Sequence, residues 1–143
     1  MGWATQAFAN GVAATCAELG IVVVAHTPLG AGMLTGKIKS IDDLQIPDYY
    51  KQLPRFQPEN FRKNLELVSA LEKLTTTKGC TTAQLALSWI KVQSRKPGMP
   101  LFIPVSGASS VERIMENARD VDLTDKDLKD VTAVLNSFTV QGA

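Results

Sequence analysis

The run Pro104-Val105-Ser106-Gly107-Ala108-Ser109-Ser110, with Arg113 just beyond it, has residue types suited to holding an anion. An apolar stretch ends in it and a helical pattern begins after it. Free N–H groups and the positive end of a helix dipole at such a junction favour phosphate. Gly107 and its small neighbours let backbone approach a ligand closely. Arg113, one turn into the helix, adds a charge-assisted donor. An ordinary capped junction with a solvated Arg113 would look the same. Neither a G-x-G-x-x-G run nor a Walker glycine loop is present to separate the two accounts.

A second group follows the first apolar run. His26, the single histidine, comes directly after Ile21-Val22-Val23-Val24-Ala25, where α/β proteins place functional groups. Thr27-Pro28-Leu29-Gly30-Ala31-Gly32 is a small-residue turn that either passes close to a ligand or simply leads the chain away. Asp42-Asp43 and Asp120-Val121-Asp122 lack further oxygen ligands at calcium-loop spacing and read as solvated turns. Cys16 and Cys80 stand far apart and read as reduced, buried thiols of an intracellular protein. Trp3 and Trp89 read as packing residues. Serine-nucleophile and zinc spacings do not occur.

The elements that must position these residues follow from periodicity and punctuation. A helix over residues 10–19 has Asn10 as cap, Val12, Cys16 and Leu19 on one face, and Gly20 at its end. The β-branched run from Ile21 suits a strand buried on both faces. A long irregular loop over residues 27–58 is punctuated by Pro47, Pro54 and Pro58. Helix resumes over residues 59–78, lined by Phe61, Leu65 and Val68 and extended by Leu67, Leu71 and Leu74. Thr81 with Gln84 opens a helix to about Val92. Leu101-Phe102-Ile103-Pro104-Val105 is a second short strand. Ser109 with Glu112 opens a helix to about Asn117, and Thr124 with Asp127 opens the last one. Alternating strands and helices imply an α/β class with parallel pairing.

The 143 residues permit a single domain, and a composition 45% hydrophobic and 20% charged is that of an ordinary globular chain. A net charge of +1 with dispersed basic residues excludes a nucleic-acid footprint. No apolar stretch approaches the ~20 residues of a membrane span, and no signal peptide opens the chain, so a cytoplasmic protein without membrane contact is expected. Both strands are apolar throughout and expect neighbours, which a two-strand ribbon does not provide. Either sheet partners are missing from this chain, or it is a freestanding, helix-dominated α/β binding domain with a minimal sheet.

The residues Ala25-His26-Thr27-Pro28-Leu29-Gly30-Ala31-Gly32-Met33-Leu34-Thr35-Gly36 closely resemble the aldo-keto reductase run A-Y-S-P-L-G-R-G-L-L-T-G. In family order follow Thr82-Ala83-Gln84-Leu85-Ala86-Leu87-Ser88-Trp89, the run from Ile103 to Ala108, Glu112-Arg113-Ile114-Met115-Glu116-Asn117, and Leu123-Thr124 with Asp127-Leu128. The resemblance covers nearly the whole chain and is strongest to the pyridoxal reductase branch. It implies the C-terminal part of a (β/α)8 TIM barrel, residues 1–143 forming one partial domain with strands seven and eight and their helices.

The family reduces aldehydes or ketones with NADP(H), using a Tyr acid assisted by Lys, Asp and His from earlier strands. None of these four can be carried over, and Tyr49 and Tyr50 do not match the catalytic position. The resemblance implies that this chain alone is inactive. What carries over is cofactor contact. His26 stands where the family stacks a Tyr on the nicotinamide, and Leu29 and Ala31 match positions whose backbone lies along the pyrophosphate. Gly107, Ala108, Ser109 and Ser110 match the loop at the 2′-phosphate, Arg113 its clamp, and Glu116 and Asn117 the adenine contacts. Some relatives carry Lys where Gly107 stands, which weakens the preference for NADP over NAD. Open strand edges further imply self-association, and a non-enzymatic interaction or regulatory module is the alternative function.

Overall fold

The computed structural model describes residues 11–44, 46–47 and 51–142. Trp3, the proposed cap Asn10, Tyr49 and Tyr50 lie outside them. Helix α1 (Val12–Glu18) begins after Gly11 and ends at Gly20, whose φ of 65° only glycine adopts without strain. The residue α1 buries is Ala13, 1% exposed, and not the expected stripe. Val12 and Leu19 are exposed and Cys16 is half-buried, because the small alanine lets the helix sit close on the core. Cys80 is likewise half-buried, so neither cysteine is the buried thiol expected from sequence.

Strand β1 (Val23–His26) pairs with β2 (Phe102–Val105) in parallel, Val23 opposite Phe102 and His26 opposite Val105. Expected burial on both faces is not found. Val23, Ala25 and Phe102 turn to the helices, whereas Val24, Ile103 and Val105 are exposed. Side chains alternate across a strand, so covering one face leaves every second residue bare unless another layer is present. Among the described residues, no other strand pairs with either edge.

The long loop is not structureless. Among its described residues, three short 3-10 turns, Met33–Thr35, Ile41–Asp43 and Pro54–Phe56, punctuate it. Met33, Leu44, Phe56 and Phe61 form an apolar cluster of their own, with Ala31, Ile38 and Leu65 packed around it. Helix α2 (Pro58–Lys78) carries Phe61 into that cluster and Leu67, Val68 and Leu71 into the main core. Pro58 at its first turn removes an N–H that would have had no partner, and Gly79 closes it at φ 71°.

Helix α3 (Thr82–Gln93) opens on the expected capping box, Thr81 Oγ1 accepting from the Gln84 N–H and Gln84 Oε1 from the Thr81 N–H. It is the central helix. Leu85, Ala86, Trp89 and Ile90 are all buried, and Ser88 and Ser94 hydroxyls accept the N–H groups of Val121 and Phe102. Helix α5 (Asp125–Ser137) opens on the Thr124–Asp127 box and buries Val131 against α2. Leu71, Ile90 and Val131, one each from α2, α3 and α5, are the most deeply buried large side chains. Each contributes on the order of 1.5–3 kcal/mol by burial.

Helix α4 (Val111–Ala118) is capped by Ser110, one residue later than expected; its Oγ accepts the Arg113 N–H at 3.3 Å. Adjacent serines can both cap, and the one whose third residue on is Arg113 prevails. Glu112 then falls too early in the first turn to complete a box. Val111, Ile114 and Met115 of α4 are exposed. None of the helices among the described residues is long and apolar enough to cross a membrane.

Candidate functional site

Because β1 and β2 are parallel and in register, they deliver both chemistry-bearing segments to the same end of the sheet, the C-terminal end of both strands. Residues 26–32 leave β1 beside residues 106–113, which leave β2. Thr27 has φ 51° and Ala31 φ 56°, left-handed values for residues that are not glycine. Thr27 is doubly unusual, since it is β-branched and precedes Pro28, which favours extended backbone before it. Such outliers persist only where the surroundings over-determine them, and they cluster at functional sites. The turn is held by Gly30 N–H to Thr27 carbonyl at 3.0 Å and Leu34 N–H to Leu29 carbonyl at 3.1 Å.

His26 is exposed, and the Thr27 hydroxyl lies 2.6 Å from its Nδ1. Leu29 packs on the main cluster and Ala31 on the loop's cluster. Both side chains are thereby committed inward. Their backbone is what remains for a ligand.

At the other segment, Gly107, Ala108 and Ser109 are exposed and Ser110 is half-buried. Arg113 is exposed, and Nη1 makes only a 3.5 Å contact to Ser109 Oγ. Among the described residues, Arg113 has no carboxylate partner. Its charge is available. Against this, Glu112 places a carboxylate at the same helix start, where its own backbone N–H and then the Ser110 hydroxyl hold it below the usual carboxylate range.

Glu116 and Asn117 are half-buried neighbours on α4 that face different clefts. One, of about 290 Å³, brings Asn117 together with Ala108, Ser106, Ile114, Leu87 and Lys91. The other, of about 560 Å³, is lined by Glu116 with Glu112, Gln84 and Met115. The structure thus unites Ala108 with Asn117 and separates Glu116 from both. His26, Leu29 and Ala31 line neither cleft.

The sequence assigns no site role to Leu87 or Lys91, and Thr27 enters it only as part of the turn after His26. The first two were legible only as an i, i+4 pair on a packing helix, and Lys91 is bonded to Asp120. Nothing in the sequence announces the conformation of Thr27. Asp42 and Asp43 fall in the 3-10 turn Ile41–Asp43, whereas Asp120 and Asp122 lie in irregular backbone and Asp120 pairs with Lys91. Asp43 accepts the Lys39 and Ser40 N–H groups at 2.9 and 2.8 Å, and these bonds hold its carboxyl below the usual range. The described residues contain no cluster of three or more His, Cys, Asp or Glu that could hold a metal.

Comparison with known proteins bears on these segments directly. The aldo/keto reductase family model matches residues 3–136. The chain is 38% identical over 142 residues to a putative pyridoxal reductase of Saccharomyces cerevisiae, covering 93% of this chain and 41% of that protein. It is also 38% identical over 135 residues to an aldo-keto reductase of Schizosaccharomyces pombe whose name carries NADP(+), covering 93% and 38%. Among solved structures, a glycerol dehydrogenase of Gluconobacter oxydans superposes with a TM-score of 0.67 at 27% identity, covering 87% of this chain and 37% of that one. The chain therefore spans about two-fifths of the length of these relatives. It belongs to the aldo/keto reductase family.

Proposed function

We propose that this chain supplies the nucleotide-holding part of an NADP(H)-dependent carbonyl reductase, with β1 and β2 as strands seven and eight of a (β/α)8 barrel and residues 1–143 as one partial domain. The observation that carries the reading is the parallel register, which sets the segment from His26 beside the segment from Gly107. The residues fit a dinucleotide at both ends. Leu29 and Ala31 turn their side chains inward and leave backbone for the pyrophosphate. Ser109, Ser110 and an Arg113 with no carboxylate partner among the described residues suit the 2′-phosphate.

In this reading His26 lies against the nicotinamide, and Gly107 and Ala108 give the backbone clearance beside the phosphate. Asn117, which shares a cleft with Ala108, takes the adenine there, and Glu116 faces the cleft on the other side of α4. The cofactor, when bound, supplies hydride to an aldehyde or ketone, and the name of the yeast relative points to pyridoxal-like aldehydes. The proton donor and its partners lie outside this chain's matched motifs, so the chain by itself does not turn over. Two half-buried cysteines, both free, agree with a reducing, cytoplasmic setting.

A second reading, a non-enzymatic interaction or regulatory module, draws support from the exposed sheet face and the exposed Val111, Ile114 and Met115 of α4. Self-association through that face belongs to either reading.

Titration with NADPH and NADH, before and after Arg113→Ala, tests the first. The substitution should weaken NADPH by on the order of 1–3 kcal/mol more than NADH, because only NADPH carries the charge-assisted contact. Equal losses for the two cofactors would remove Arg113 from the 2′-phosphate.

A further inference from the structure

A second constructed contact lies at the far end of the long loop, away from the C-terminal end of the strands. Asn64 of α2 is buried, at 8% exposure. Its Nδ2 donates to the Arg55 carbonyl at 3.3 Å and to the Gln141 carbonyl at 3.1 Å, and its Oδ1 accepts the Gln141 N–H at 3.0 Å. One turn earlier, Asn60 Nδ2 donates to the Pro54 carbonyl at 2.8 Å. The Asn64 side chain thus joins the end of the loop to a segment 77 residues beyond Asn64 itself.

Gly142 completes the joint. Its φ is 67°, and it lies so close to the loop that a Cβ there would come within 2.8 Å of Arg55 Cα and nearer still to the Arg55 amide nitrogen. Only glycine allows that approach. Beside Arg55 stands Phe56, 2% exposed, which anchors the loop's own cluster with Met33 and Leu44. Ala31, one of the candidate cofactor residues, packs on the same cluster. At the strap's other end, Phe138 and Val140 pack on the main core.

We propose that residues 138–142 form a clasp on the long loop, and that strap and loop are ordered as one coupled unit. Docking of the strap through Asn64 and Gly142 fixes residues 54–56, Phe56 fixes the loop's cluster, and the cluster fixes the backbone at Ala31. Coupling of this kind is reciprocal, so ordering the loop also holds the strap. The joint is balanced rather than locked. Among the described residues, the buried Arg55 Nε has no hydrogen-bond partner, a desolvation cost that opposes closure. The clasp does not depend on what the loop binds.

Amide-resolved hydrogen exchange on the full chain tests this with two variants, Gly142→Ala at the strap and Leu44→Ala in the loop cluster. Gly142→Ala should speed exchange at Gln141, and also at Phe56, Met33 and Leu44, by tenfold or more. The amides of Leu87 and Ile90 in α3 should keep their rates. Leu44→Ala should speed exchange at Gln141 in return. Acceleration at Gln141 alone in the first variant, or no change there in the second, would overturn the clasp. Equal acceleration at Leu87 and Ile90 in both variants would reveal one global unfolding unit and overturn it as well.

Discussion

The chain should gain mass with concentration, and placing a charge at Val24 should prevent it. Val22, Val24, Leu101, Ile103 and Val105 share the uncovered face of the sheet, and each is about half exposed, Val24 most of all at 62%. Full burial of such a side chain contributes ~1.5–3 kcal/mol, so covering the remaining half yields ~1 kcal/mol each. Five residues on each of two copies then supply ~10 kcal/mol. Association costs ~4–15 kcal/mol in lost freedom, so at the low end of that cost ~6 kcal/mol remains, a self-affinity of roughly tens of micromolar, and higher costs make it weaker. Val24→Asp removes ~2 kcal/mol from a symmetric pair and adds two carboxylates, each costing several kcal/mol to bury. Light scattering from about 10 μM to about 1 mM, with near-UV circular dichroism, reads the outcome. Wild type should gain mass with concentration, and Val24→Asp should not. A wild-type monomer at every concentration, with sharp aromatic signals and cooperative unfolding, would refute the argument that this face needs a cover.

The chain alone should show no NADPH-dependent reduction of pyridoxal, because positioned proton transfer, worth ~10²–10⁴ in rate, has no matched donor here. Turnover by a pure preparation, abolished by changing Tyr49 or Tyr50, would overturn the alignment with strands seven and eight. A separate expectation concerns acid stability. The Lys78 ammonium, 2.6 Å away, and then the Thr124 hydroxyl and N–H, bring the Asp127 carboxyl from 3.8 down to about 2. A carboxyl lowered in the folded state contributes stability at pH above its unfolded value and loses it as pH falls from near 4 towards 2. The full displacement is worth at most ~2.5 kcal/mol, and partial solvation of the pair reduces this to ~1 kcal/mol. Urea midpoints for wild type and Asp127→Asn should therefore differ at pH 6 and converge near pH 2. Parallel midpoints across that range would show that the pair contributes nothing.

Much of this protein is legible in its sequence because helix starts are local. Thr81 with Gln84 and Thr124 with Asp127 specify their caps from residues three apart, and both form as the spacing predicts. Ser109 and Ser110 show the limit of that logic: two adjacent serines offer the same hydroxyl, and the next turn's backbone chooses between them. The candidate cofactor residues were legible as strand-end segments, since a parallel pair brings the two C-terminal ends together.

Tertiary structure alone decided the rest. An all-apolar strand is compatible with burial on one face or two, and only the layers present determine that Val24 is bare while Val23 is covered. The cluster of Met33, Leu44, Phe56 and Phe61 has no period to read, because it is drawn from irregular backbone and one helix turn. That Glu116 and Asn117 face separate clefts follows from where α4 settles on α3, not from their adjacency in the chain. Asn64 looks in sequence like any polar residue on a helix. Its partners are Arg55 and a glutamine 77 residues away, and no local rule relates residues that only the folded chain brings within 3.3 Å.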